Sequence, residues 1–226
     1  MEILKQNFVE ISRRIEQAAL RTGRNPADIK LIAVSKTVDA DTAVKAFNLG
    51  IRDFGENRVQ QFNEKKVKLP EARWHFIGHL QTNKIKDVIG KAYLIHSLDR
   101  WKLAEELNKL GVSMETEVPV LLQVNVSGEE QKYGLKPDDA ANFLESIGQL
   151  KVIKIKGLMT MAPLGADKEE ARSVFRELQA IKLKMIKNKN HNCDLKYLSM
   201  GMSQDFEVAV EEGANMVRIG SALFNS

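Results

Sequence analysis

The chain has 226 residues, 34 Lys plus Arg against 30 Asp plus Glu, and 43% apolar residues. That balance excludes disorder and suits a soluble globular fold with one core, two domains being the alternative. Its single cysteine, Cys193, excludes an internal disulfide framework, a Cys-pair zinc site and a CxxC redox motif, and points to a reducing compartment.

A first helix is predicted over residues 2–22, where polar and charged residues recur at helical spacing without the apolar core of a signal peptide. No run of about 18 apolar residues follows, so no membrane partner and a cytoplasmic location are expected. The sequon at Asn125-Val126-Ser127 is then a chance match.

From residue 29 onward strand-like and helix-like runs alternate. The strands are predicted over Ile29–Lys36, Ile51–Asn57, Arg73–Leu80, Ala92–Leu98, Pro119–Ser127, Ile155–Ala162, Leu195–Ser203 and Met216–Phe224. The helices are predicted over Asp39–Leu49, Glu56–Lys68, Asn83–Ile89, Asp99–Leu110, Asp138–Ile147, Lys168–Lys187 and Gln204–Glu212. Near-continuous apolar strands such as VPVLLQVNV suit a parallel sheet covered on both faces. Eight such units after an extra N-terminal helix predict an α/β fold, a single (β/α)8 barrel spanning residues 1–226. An open doubly wound sheet is the competing architecture, but neither GxGxxG nor GxxxxGK[ST] occurs.

Barrel chemistry gathers at the carboxyl ends of the strands. Strand alternation puts Ile32, Val34 and Lys36 on one face; if that face is the interior, Lys36 overhangs the mouth, where desolvation favours the neutral amine that condenses with an aldehyde. The alternative is a strand-end lysine extended to water. The run SMGMSQDF, with Ser199, Gly201, Met202 and Ser203, combines a glycine turn with a helix start able to hold phosphate, and Gly201 would let the backbone approach the ligand. The plainer reading makes Ser203 only a helix cap. A second such turn follows at Gly220-Ser221, and loops after strands seven and eight are a common phosphate site in barrels. Arg218, with Val217 and Ile219 on the opposite face, is directed inward and needs a partner, either a carboxylate such as Glu56 or a ligand ring nitrogen.

His75 and His79 lie about 13 Å apart on one strand, too far to share an ion. His96 and His191 bring no acidic or sulfur company, so no metal is assigned. The absence of GxSxG and HExxH removes serine-hydrolase and zincin chemistry. The net charge of +4 raises nucleic acid as a partner, but the basic stretch Lys182–Lys189 reads as a solvated helix face and no aromatic-plus-basic cluster accompanies it.

VSKTVD (34–39), FGENRVQ (54–60), HFIGHLQTNK (75–84), GLMTMAP (157–163), SMGMSQDFEVAV (199–210) and VRIGSALF (217–224) together resemble the pyridoxal phosphate homeostasis protein family over nearly the whole chain. The resemblance implies a barrel like that of alanine racemase, holding pyridoxal 5'-phosphate as a Schiff base. It makes Lys36 the Schiff-base lysine, sets the phosphate against Ser199–Ser203 and Gly220–Ser221, puts Arg218 beside the pyridine nitrogen and lines the ring pocket with Asn57. Ser221 departs from an expected threonine but keeps the hydroxyl.

A cation at the ring nitrogen weakens the cofactor as an electron sink. With the last strand ending close to Ser226, the second domain of a racemase is not expected, and Tyr133 and Tyr197 offer no placed acid. The expected role is therefore a monomeric carrier and regulator of pyridoxal phosphate rather than an enzyme, with apo-enzymes as acceptors and a weak racemase-like activity as the alternative. Lys132, in the loop after strand five, reads as a second aldehyde acceptor at the mouth or as a solvated loop lysine.

Overall fold

A computed structural model describes residues 2–187 and 194–225. The strands are β1 (Lys30–Val34), β2 (Asp53–Glu56), β3 (Arg73–Phe76), β4 (Leu94–Leu98), β5 (Val118–Gln123), β6 (Ile153–Met159), β7 (Tyr197–Ser199) and β8 (Met216–Ile219). They pair in chain order, all parallel, and close when β8 pairs with β1, Arg218 opposite Ile32 and Ile219 opposite Ala33. The helices are α1 (Glu2–Arg21), α2 (Ala40–Asn48), α3 (Val59–Lys68), α4 (Trp101–Ser113), α5 (Pro137–Ile147), α6 (Lys168–Lys187), α7 (Phe206–Glu211) and α8 (Ser221–Phe224). This is the (β/α)8 barrel with an extra N-terminal helix that the alternation predicts.

Two predicted elements are corrected. The segment read as a helix over 83–89 is a 3-10 turn over Thr82–Asp87 without a side-chain cap, too short to stabilise an α-helical nucleus. The strand read through Phe224 ends at Ile219, and Ser221–Phe224 turns into α8, because a short apolar run has no period that separates strand from helix.

Outward side chains of the strands meet the helices in the main core, where Phe54 and Trp74 lie 5.2 Å apart and Phe62 stands edge-on to Trp74 at 6.5 Å. Trp74 is fully buried and its indole N–H donates to Leu69 O at 2.9 Å. Inside the barrel an apolar cluster of Ile32, Leu94, Leu121, Met159 and Met216 shares the interior with the buried polar side chains Asp53, His75, His96, Ser199 and Arg218.

The buried face of α1 carries Leu4, Ile11, Ile15, Ala18 and Ala19 at helical spacing. It packs on α7 and α8. Ion pairs from Arg14 to Glu207 (2.8 Å) and from Arg21 to Glu211 (2.7 Å) flank that contact, and Arg24 donates to Val210 O at 2.6 Å.

Trp74→Ala removes the ring at the centre of the β2–β3–α3 core and is expected to lower stability by about 3–5 kcal/mol. The midpoint of urea unfolding, at unchanged slope, measures the loss.

Candidate functional site

At the carboxyl ends of the strands opens a cavity of about 520 Å³. Lys36, Asn57, Met202, Ser203, Arg218, Gly220 and Ser221 all line it. A more open groove of about 830 Å³ adjoins it, sharing Asn57, Gly78 and His79, but it holds neither the lysine nor the two turns.

The end of β1 is fixed from behind. Ser35 is buried and donates its hydroxyl to Glu56 Oε1 at 2.7 Å; Lys65 donates to the same oxygen at 2.5 Å and to Ser35 O at 2.6 Å. Both ionic side chains are almost wholly buried, 3% and 0% exposed. With Ser35 held on the outer face, the next residue takes the inner one, so Lys36 follows Val34 into the cavity. Glu56 therefore answers Lys65, and the reading that paired it with Arg218 is corrected. Lys36 itself is exposed at the open mouth, so the expectation of a desolvated amine is not met.

Gly78 sits where a side chain has no room, since a Cβ would lie 2.3 Å from Asn57 O. This close crossing brings the loops after β2 and β3 together and turns Asn57 and His79 toward the same opening.

The turn after β7 differs from its sequence reading in three respects. Ser203 does not cap the following helix; its hydroxyl accepts from Ala222 N at 3.2 Å, in the first turn of α8, while Asp205 accepts from Met202 N at 2.5 Å. Gly201 takes φ +91°, and its missing Cβ makes room for Ala209, 2.5 Å from where that atom would stand; the close approach is to α7, not to a ligand. Ser199 lies below the cavity, fully buried, bonded to Arg218 and His96. The two turns are thus tied to each other through Ser203, and the N–H groups of Ser203, Gln204 and Ser221 find no acceptor among the described residues. Unpaired amides at one opening are an arrangement that can accept an anion.

Arg218 is 4% exposed and directs its guanidinium inward. One terminal nitrogen donates to Ser199 Oγ at 2.6 Å and the other to Thr160 O at 2.9 Å. Burial lowers its pKa to about 10, opposed by the charge of Asp205. No carboxylate among the described residues forms an ion pair with it. A buried cation served only by neutral acceptors, with one edge on a cavity, leaves capacity for a ligand acceptor.

Several site residues escaped the sequence reading. Tyr133 stacks on His79 at 3.9 Å over the opening, and His79 Nδ1 meets Asp99 Oδ2 at 3.0 Å. The loop carrying Tyr133 is pinned by Gln123, which donates to its carbonyl at 2.8 Å; its position straight after β5 was the available signal. Lys132 lies outside the cavity lining, its amine donating to Ala162 O at 3.0 Å and to Ser127 Oγ at 3.2 Å and pairing with Glu129. It is neither a solvated lysine nor one that faces the mouth.

His96, read as having no company, sits 2.9 Å from His75 across neighbouring strands, and His75 meets Asp53 at 3.0 Å. Burial lowers the pKa of both imidazoles, that of His96 well below the usual range with His75 and Arg218 adding to the effect. Burial raises that of Asp53, but bonds from His75 and Arg73 outweigh it and hold the carboxyl far below its ordinary value. Among the described residues no group of three His, Cys, Asp or Glu is placed to hold a metal; His191 and Cys193, like the end of the Lys182–Lys189 stretch, fall outside those residues.

The family model described as the alanine racemase N-terminal domain matches residues 7–226. A pyridoxal phosphate homeostasis protein of Aquifex aeolicus is 44% identical over 97% of this chain and 96% of its own length. The structure of PipY of Synechococcus elongatus with PLP bound superposes with a TM-score of 0.82 at 35% identity, over 95% of this chain and 100% of that one. Alanine racemase of Clostridium difficile shares the fold, with a TM-score of 0.76 at 16% identity, all of this chain matching 57% of that one.

Two outcomes test this geometry. Lys65→Met leaves Glu56 buried without its cation and is expected to cost about 3–5 kcal/mol, read by chemical denaturation; adding Glu56→Leu should recover part of the loss. The second concerns pH: burial holds the pKa of His75 and His96 in the folded state below the value of about 6.5 that they take when unfolded, so below that pH the unfolded state binds more protons and stability falls as pH drops. Each imidazole contributes a slope of up to about 1.4 kcal/mol per pH unit, and His96→Gln should make unfolding midpoints between pH 5 and 6.5 markedly less pH-dependent.

Proposed function

The chain belongs to the pyridoxal phosphate homeostasis protein family, and from that premise we propose that it holds pyridoxal 5'-phosphate covalently through Lys36 as an intracellular carrier and regulator. The observation that carries the reading is the convergence of one lysine, one buried arginine and two amide-rich turns on a single cavity. An aldehyde with a phosphate tail would suit all three: Lys36 would hold the aldehyde end, the free N–H groups of Ser203, Gln204 and Ser221 the dianion, and Arg218 a neutral ring nitrogen.

When bound, the cofactor supplies an electrophilic carbon and a ring able to accept electrons. The residues of this chain hold and restrain it. Arg218, acting as a donor, would keep a proton off the ring nitrogen and blunt the sink, and Asn57 and Met202, which line the cavity, would help hold the ring. Such a site favours retention and transfer over carbanion chemistry, in keeping with relatives named for homeostasis. On this reading residues 1–226 act as one cytoplasmic, monomeric ligand-binding unit that delivers the cofactor to apo-enzymes, without a nucleic-acid partner. No described helix is long and apolar enough to cross a membrane.

A weak racemase-like activity is the second reading, and one observation favours it. Tyr133, stacked on His79, brings a phenol to the mouth where the sequence offered no placed acid.

The purified protein should be yellow, and borohydride should fix the cofactor on Lys36, located by peptide mass spectrometry. Lys36→Ala should lose the visible absorption band, and unchanged colour in that variant would reject the lysine. Solvent deuterium entering the α-position of an amino acid at a Lys36-dependent rate would move the protein to the racemase-like class.

A further inference from the structure

Five buried polar side chains of the barrel interior form one hydrogen-bonded file. Arg218 Nη1 meets Ser199 Oγ at 2.6 Å, Ser199 Oγ meets His96 Nδ1 at 2.9 Å, His96 Nε2 meets His75 Nδ1 at 2.9 Å, and His75 Nε2 meets Asp53 Oδ1 at 3.0 Å. Every member is 4% exposed or less. The file ends on Arg73, which donates twice to Asp53 at 2.8 and 2.5 Å. Its two ends open on opposite faces of the barrel. Arg218 lines the cofactor cavity, while Asp53 and Arg73 line a groove beside Gly50 and Ile29, in the loops that precede the strands.

The chemistry of the two ends fixes the direction of every link. A guanidinium only donates and a carboxylate only accepts. Asp53 therefore requires the proton of His75 on Nε2, which leaves Nδ1 as an acceptor. His96 must then carry its proton on Nε2 to supply it, so His96 Nδ1 accepts the Ser199 hydroxyl hydrogen. Ser199 is left with free lone pairs aimed at Arg218. In the reverse polarity the serine oxygen would receive two hydrogens and its own hydrogen would have no acceptor in the file.

We propose that Asp53 is a positioning residue for Arg218, acting through His75, His96 and Ser199 from the end of the barrel opposite the ligand. It sets both imidazole tautomers, keeps Ser199 an acceptor and thereby holds the guanidinium in the pose it presents to the ring. The effect on the ligand rests on the reading of Arg218 given above; the polarity of the file does not.

Long-range nitrogen-15 NMR of the ligand-free wild-type protein tests the polarity first. Both buried imidazoles should carry their proton on Nε2 at neutral pH, and a proton on Nδ1 of either, or on both nitrogens, overturns the proposal. Asp53→Asn should then mix the tautomers of His96, two links away, weaken binding of added pyridoxal phosphate roughly fivefold and shift the visible band of the loaded protein. Ile32→Val, in the apolar cluster of the same interior, should leave tautomers, affinity and band unaltered. Ser199→Ala, which cuts the file beside the arginine, should reproduce the affinity loss and band shift should the Asn variant fail to fold. Altered tautomers with unaltered affinity and band would sink the positioning role. A wild-type protein with the stated tautomers that takes up no pyridoxal phosphate would instead sink the cofactor reading and leave the file standing.

Discussion

Closure of the sheet is the constraint on which the rest of the molecule depends. Lys36 follows the first strand, and Arg218, Gly220 and Ser221 belong to or follow the last, so only the pairing of β8 with β1 brings them to one opening. The register is specific: with Arg218 opposite Ile32, side-chain alternation carries the guanidinium inward beneath the lysine. A slip of one residue would turn it out among the helices. The site is therefore a product of barrel formation and has no counterpart in any local segment.

Burial is handled differently on the two sides of the strands. Outside, Phe54, Phe62 and Trp74 give an aromatic layer whose one polar group, the indole N–H, finds Leu69 O, and a buried ion pair, Lys65 with Glu56, is satisfied in part by Ser35. Inside, polar side chains share the core. Burying them is tolerated because each finds a partner, and the lowered pKa of both imidazoles favours their uncharged forms there. That interior arrangement leaves the arginine without a carboxylate in contact, the condition that suits it to a neutral ring acceptor.

The sequence made the strands legible because both faces of each are covered, which writes them as apolar runs separated by helix-length intervals. Their ends were less legible. The run from Arg73 to Leu80 reads as one strand, yet it leaves the sheet after Phe76, where Gly78 must cross the backbone of Asn57, a contact between loops that neither loop announces alone. Lys36 and the serine–glycine turns were found by their position after strands. Ser199 stands close to Gly201 in sequence but belongs to β7, where it alternates with Leu198 and shares the inner face with Tyr197, so it lies below the turn rather than in it. The pairing of His75 with His96 depends on the register between β3 and β4, and the stacking of Tyr133 on His79 on how two loops fold over the mouth. Neither relation has a trace within one segment.

The helix that opens the chain rests on the two helices that close it. The apolar face of α1 is covered by α7 and α8, and its arginines are answered by Glu207 and Glu211. During synthesis that face emerges well before its partners, so until β8 and α8 follow, the growing polypeptide carries an uncovered apolar stripe and an unclosed sheet edge, with long-range contacts still to be made. The first and last helices therefore order together, and damage at α8 would be felt as far away in sequence as α1.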